Sequence, residues 1–206
     1  MQKHKKILTL LYYSIIIFRA TLLRERVLYN GDMHMNDENL IIIGAGVYAL
    51  VVKEIAESLG CFGQIEFADD NMLFTKAGDK VLCKISEIEK YRNEYPNAIV
   101  AIGSPETRIG FIERLKVMGF KIATLVSKRA YVSPSAIIGE GSVIEPMATV
   151  HTAVHIKEGC IISSGAVVNH MSVCERGVHV DCNATVAGNI VVPEKTKIPH
   201  GEVFRG

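Results

Sequence analysis

Counting in sixes from Val132, apolar residues fall at Ile138, Ile144, Val150, Ile156, Ile162, Val168, Cys174, Val180, Val186, Val192, Ile198 and Phe204 without a slip. Four places after many of them stands a small residue: Ala136, Ser142, Ala148, Cys160, Ala166, Ser172 and Ala184. A helix repeats every 3.6 residues and a plain strand every two. A six-residue period rich in β-branched residues predicts a parallel β-helix. Each hexad gives one short strand whose aliphatic residue points inward, and coils stack at the strand spacing of ~4.8 Å.

The chain before this run follows another rule. "NLIIIGAG" is an apolar strand ending in a glycine turn, and "VYALVVKEIAESLG" has helical spacing with Gly60 as C-cap. "GQIEFADDN" reads as a second strand, "AIVAIGSPETRIGFIERLKVMGF" as strand, Gly103 turn and helix, and "KIATLV" as one more strand. Strand and helix alternate, so residues 38–127 are expected to form a small parallel α/β, Rossmann-like domain, and 128–206 an all-β prism.

Residues 1–37 obey neither pattern. Basic "MQKHKK" precedes "ILTLLYYSIIIF", which is too short for a membrane span of about 20 residues, and no small-x-small cleavage site follows. Three readings stay open: an upstream extension with Met33 or Met35 as the first residue, a membrane-surface anchor through residues 7–18, or an extra packed helix. Net charge is +1, which gives no basic excess to suggest a nucleic-acid partner. The five cysteines form no C-x-x-C pair and are odd in number, which suggests reduced thiols in a cytoplasmic protein.

The hexads resemble those of the left-handed β-helix acyltransferases, whose triangular coils hold three hexads each. Together with "IIIGAG", "FADDN" and "VVNHMSVCERGVHVDCNATVAGN", they make the chain from about residue 38 similar to the NeuD/PglD-like sugar O/N-acyltransferases. That resemblance implies a Rossmann-like domain for a nucleotide-sugar, a left-handed β-helix for acetyl-CoA as co-substrate, and a homotrimer. It also implies that His170 is the general base for the attacking amine or hydroxyl. Imidazole suits the task because its ordinary pKa lies near ~6.5. Gly188, in "VAGN", falls where the family brings backbone to the acetyl-CoA thioester. With three hexads per coil, His170 stacks between Thr152 and Gly188, and His179 lies half a coil further round. The two imidazoles are then expected to meet only across a subunit boundary.

The sequence departs from the family at several points. Met171 stands where an acid usually follows the base, and Ser163 replaces a usual asparagine; Asn169 and Glu175 are further candidates for positioning the base. We count Ser163, His179 and Gly188 on the acetyl-CoA side. His151 and His155 are four apart but face different directions on a β-helix, so no metal site is expected.

Gly44, Gly46 and the helix after them fit a phosphate-binding turn. Asp69 and Asp70 end the next strand, in the region that contacts the uridine nucleotide in the resembled family; Gly103 and Ser104 end the third. Tyr48 takes the place of a family histidine near the sugar and keeps a hydroxyl but no base chemistry. The chain stops at "KIPHGEVFRG", so the CoA cradle is expected to be short. The leading expectation is N-acetylation of a nucleotide-linked amino-sugar. O-acetylation of a sialic-type acid and a non-catalytic, nucleotide-sugar-binding trimer are the rivals. A nicotinamide oxidoreductase is disfavoured because no second catalytic domain follows the glycine turn.

Overall fold

The computed structural model describes residues 38–206 apart from Met72. The expectations for residues 1–37, membrane contact through residues 7–18 among them, lie outside these residues. Among the described residues no helix is long and apolar enough to cross a membrane.

The first unit is a four-stranded parallel sheet of β1 (Leu40–Ile43), β2 (Ile65–Ala68), β3 (Asn97–Val100) and β4 (Lys121–Ile122), in the order β2-β1-β3-β4. Helix α1 (Val47–Leu59) follows β1 and α2 (Pro105–Val117) follows β3. The all-apolar run of β1 is fully buried because helices and connections cover both faces of a parallel sheet. Gly60 ends α1 in the left-handed conformation at φ 68°, as its place after the last apolar residue predicts. The turns after β1, β2 and β3 share the carboxyl edge of the sheet, and the strand order reverses between β1 and its two neighbours. Ligands bind at that point in open α/β sheets.

The second unit is a left-handed parallel β-helix of fourteen two-residue strands, from Leu125–Val126 to Val203–Phe204. Pairing joins residues eighteen apart, Val143 to Ile161 to His179, so three hexads complete one coil. The inner residues from Ile138 to Ile198 form one buried ladder. Three flat faces result. The first carries Leu125–Val126, Val143–Ile144, Ile161–Ile162, His179–Val180 and Lys197–Ile198. The second runs from Tyr131–Val132 to Val203–Phe204, and the third from Ile137–Ile138 to Val191–Val192.

"KIATLV" is therefore not one strand. Lys121–Ile122 completes the sheet, while Leu125–Val126 pairs with Val143–Ile144 and opens the prism, inside the span read from sequence as the first domain. The coil also continues through "PEKTKIPHGEVF", where Lys197–Ile198 and Val203–Phe204 pair with the coil before them.

Corners follow a second six-residue rule. Every sixth residue from Gly141 to Gly201 has a positive φ, including Met147, Ala153, Met171 and Lys195. For such non-glycine residues this conformation costs roughly 1–2 kcal/mol each, which the stacked coils on either side impose.

The two units are packed as one body. Leu125 and Val143, pointing outward from the first face, join the core of β1 and α1. At the corner between the third and first faces, Lys116 pairs with Glu140 at 2.6 Å and with Glu158, and Arg176 pairs with Glu113 and Glu158, both at 2.8 Å. Fully buried Arg108 spans the same junction. Its Nε donates to Gly159 O at 2.7 Å, Nη2 to Gly177 O at 2.8 Å, and Nη1 to Ile102 O and Gly103 O, both at 2.9 Å.

Candidate active site

The residues singled out from the sequence fall into three groups. At the sheet's carboxyl edge, Gly44 has φ 104°, and a Cβ there would lie 3.1 Å from Ala101 O, so only glycine fits the turn. Gly46 caps α1 with no side-chain cap, which leaves first-turn N–H groups for an anion. Asp69 Oδ2 accepts from Ala45 N at 2.9 Å and its Oδ1 from Asn71 N at 2.8 Å, so this carboxylate shapes the glycine turn. Asp70 is exposed and accepts from Ser86 N at 3.3 Å. Gly103 and Ser104 lie exposed beside them, with Ser104 Oγ capping α2 by accepting from Thr107 N. Arg108 holds this third turn against the prism through the Gly103 carbonyl.

The second group is His170 with Gly188. Both stand at the corner between the second and third faces. His170 is exposed, and its ring makes no hydrogen bond to any described residue. It lies directly over Gly188 one coil on, where a Cβ would come within 2.9 Å of Cε1 and 3.0 Å of Nε2. Met171 follows at φ 56°, so no acid adjoins the ring in sequence. Asn169 turns its amide to Val186 O at 3.0 Å, and Glu175 pairs with Lys157 at 3.9 Å. Neither is bonded to His170.

The third group lies on the outer side of the first face, next to α1. One column reads Leu125, Val143, Ile161, His179 and Lys197, apolar until the α/β unit ends. The column beside it reads Ser127, Glu145, Ser163 and Asp181, four polar residues that are all buried. His179 is only 8% exposed, and its Nε2 lies 3.1 Å from Ser163 Oγ and 3.9 Å from Asp181 Oδ1. Burial pushes its pKa down to about 4, with Asp181 opposing and the positive charges of Lys197 and Arg108 assisting. The ring is therefore neutral at pH 7. With the Asp181 carboxylate on the Nε2 side, electrostatics favour the proton there. Nδ1, buried without a partner, is then an acceptor open to a donor from a ligand.

Asp181 also accepts from Lys197 at 3.0 Å and lies 3.1 Å from His200 Nδ1. Asp181, Cys182 and His200 bring three donor atoms within 4.8 Å of one another, on a site where Lys197 already supplies positive charge.

Tyr48 joins the first group to the third. It sits in the first turn of α1, and its hydroxyl is buried at the domain junction with no hydrogen-bond partner among the described residues. Its pKa is raised well above the ordinary value by burial and by the Glu145 carboxylate, against the opposing charge of Arg108.

Within one chain His170 stands on the edge opposite the first face, which carries His179. Sequence reasoning missed Arg108, Glu145 and Asp181. Glu145 and Asp181 were within reach of the eighteen-residue count, which puts them in line with Ser163. Arg108 looked like one more charge on a helix.

A family model described as the PglD N-terminal domain matches residues 39–115. Among solved structures, the chain is similar to the acetyltransferase domain of PglB from Neisseria gonorrhoeae. Identity is 34% and the TM-score 0.78, over 82% of each chain. The same domain in complex with acetyl coenzyme A matches at 33% identity and a TM-score of 0.77, again over 82% of each chain. PerB from Caulobacter crescentus, in complex with CoA and GDP-perosamine, shares the fold at 22% identity and a TM-score of 0.68, over 81% of this chain and 88% of its own. The α/β unit, the hexad prism and these likenesses agree: the chain belongs to the NeuD/PglD-like family of sugar acyltransferases, enzymes that use acetyl-CoA.

Proposed function

We propose that the chain transfers the acetyl group of acetyl-CoA to the amino group of a nucleotide-linked amino-sugar, as a cytoplasmic homotrimer with its sites between subunits. The observation that carries this reading is the exposed His170 ring, unbonded and seated on Gly188 at a corner of the prism. A base needs a free ring nitrogen in the open, and His170 offers one. His179, Ser163 and the junction with α1 lie on the far face of the same chain. A complete site therefore joins the first face of one subunit to the His170 corner of another. The nucleotide phosphates are held at the turn of Gly44 and Gly46 and the N-terminus of α1, with Asp69, Asp70, Gly103 and Ser104 around it. His179 Nδ1 accepts from the acetyl-CoA side, beside Ser163. Gly188 lets the thioester approach the backbone. An amine acceptor is favoured because PerB was solved with GDP-perosamine, an amino-sugar nucleotide.

The test is thiol release from acetyl-CoA with a panel of UDP-, dTDP- and GDP-linked amino-sugars and their hydroxyl counterparts. At least one amine should be acetylated, and His170→Ala should lower kcat by about 10²–10⁴-fold. No release with any acceptor, or full activity in the variant, would contradict the proposal.

A further inference from the structure

Glu145 is the buried acid of the junction that no cation neutralises. It is 5% exposed, and no lysine, arginine or histidine among the described residues lies within ion-pair distance. The other acids at the site differ: Asp181 has Lys197 and His200, and Glu158 has Lys116 and Arg176. Burying a carboxylate without a cation is costly, so its retention calls for a partner that arrives later. Its position is fixed by one oxygen alone. Oε2 accepts from Ser164 N at 2.9 Å and Ser164 Oγ at 3.0 Å, while Oε1 takes no hydrogen bond from a described residue. The buried Tyr48 hydroxyl lies against this carboxylate, close enough for the two to act on each other. The carboxylate and the phenol oxygen thus sit together, between the helix that starts at the phosphate turn and the column holding Ser163. His179 Nδ1, another buried atom without a partner, lies two coils further along the same face.

We propose that Glu145, assisted by Tyr48, is the specificity-determining residue that binds the acceptor's amino group as its ammonium. This rests on the acetyl-transfer reading above. A sugar whose phosphates sit at Gly44 and Gly46 extends past Tyr48 towards Glu145. A single ammonium placed there donates to Glu145 Oε1 and to the Tyr48 oxygen, and supplies the missing cation. A hydroxyl cannot neutralise the carboxylate, so the same group selects amine over alcohol. The assignment also accounts for Met171: the acid of the site is contributed by the first face instead of by the residue after the base. Removal of the ammonium proton remains with His170.

Glu145→Gln separates this role from a structural one, because the amide oxygen still accepts from Ser164 while the charge is lost. In steady-state assays KM for the amino-sugar nucleotide should rise about 10–100-fold, the span of one hydrogen bond to a charged group. KM for acetyl-CoA and for a hydroxyl counterpart should stay the same. Tyr48→Phe should raise the amine KM by a smaller factor. Calorimetry on the unaltered protein gives a second readout that needs no variant: the amino nucleotide-sugar should bind at least about ten-fold tighter than its hydroxyl counterpart. An unchanged amine KM in Glu145→Gln, an equal rise for amine and hydroxyl, or equal affinity for the two ligands would overturn the assignment while leaving acetyl transfer standing. Failure of the unaltered protein to acetylate any amine would instead overturn the functional reading and this assignment together.

Discussion

Gly188→Ala puts the smallest possible obstacle beneath the proposed base. The new Cβ would lie 2.9 Å from His170 Cε1, 3.0 Å from Nε2 and 3.4 Å from Nδ1. Carbon contacts are comfortable from about 3.5 Å, so the ring must move by at least ~0.5 Å or tilt away. It can do so cheaply, because His170 is exposed and its ring is unbonded. The backbone at Gly188 is not among the positive-φ positions, so alanine is conformationally acceptable there. Stability should therefore hold or rise slightly, since Gly→Ala at a compatible site gains about 0.4–1 kcal/mol through the unfolded chain. Catalysis should not hold, because misplacing a catalytic group by about 1 Å costs up to ~10²-fold. The expected outcome is a kcat about 10–100-fold lower, an unchanged KM for the nucleotide-sugar and a melting temperature within ~2 °C. Thiol-release kinetics and a thermal melt on one preparation decide it. A full kcat would refute the placement of the ring, and a drop of more than ~5 °C would show that the coil, not the imidazole, gives way.

Arg108→Met removes four hydrogen bonds and strands buried carbonyls in both units, so urea unfolding should show a loss of about 3–5 kcal/mol; a loss below about 1 would deny that Arg108 ties the units together. Gly139→Ala would set a Cβ 2.5 Å from the Lys157 carbonyl carbon and 2.6 Å from Glu158 N, both backbone atoms of the next coil. Because backbone cannot swing aside, the cost should be at least about 3 kcal/mol by the same measurement, in contrast to Gly188→Ala. His179, with its pKa lowered from 6.5 to about 4, binds fewer protons folded than unfolded between those values. Stability should thus fall as pH drops from about 6.5 to 4, by roughly 3 kcal/mol from this group, and level off below. In His179→Asn the fall should be shallower by that amount, and a variant with the same pH profile as the parent would contradict the buried neutral imidazole.

The prism was legible because its signal is geometric. An inward residue every six positions has no alternative period, and the residues counted from Ile138 to Ile198 are all buried in one ladder. Val154 and Val178 are buried in that ladder at places where other hexads carry Ala148, Ala166 or Ala184, so the interior sets volume per coil, not size per position. The left-handed corner residues were missed because only some are glycine or asparagine; Met171 and Lys195 adopt the conformation through stacking, against local preference. "KIATLV" misled because apolar residues suit either unit, although Val126 is one hexad before Val132. His170 and Gly188 were found by spacing. Glu145 and Arg108 were not, because their meaning depends on which face the α/β unit covers, and no local pattern states that.

The central claim is that His170 and His179 serve one site only when supplied by different subunits. The most direct test mixes two inactive variants, His170→Ala and His179→Ala, by unfolding and refolding them together in equal amounts, then measures acetyl transfer. In randomly mixed closed trimers, about a quarter of the interfaces pair an intact His170 with an intact His179 of the neighbour. The mixture should recover about a quarter of the unaltered protein's activity, whereas each variant refolded alone should recover none. A mixture no more active than its parents would place both histidines in one chain's site, or remove one of them from the chemistry.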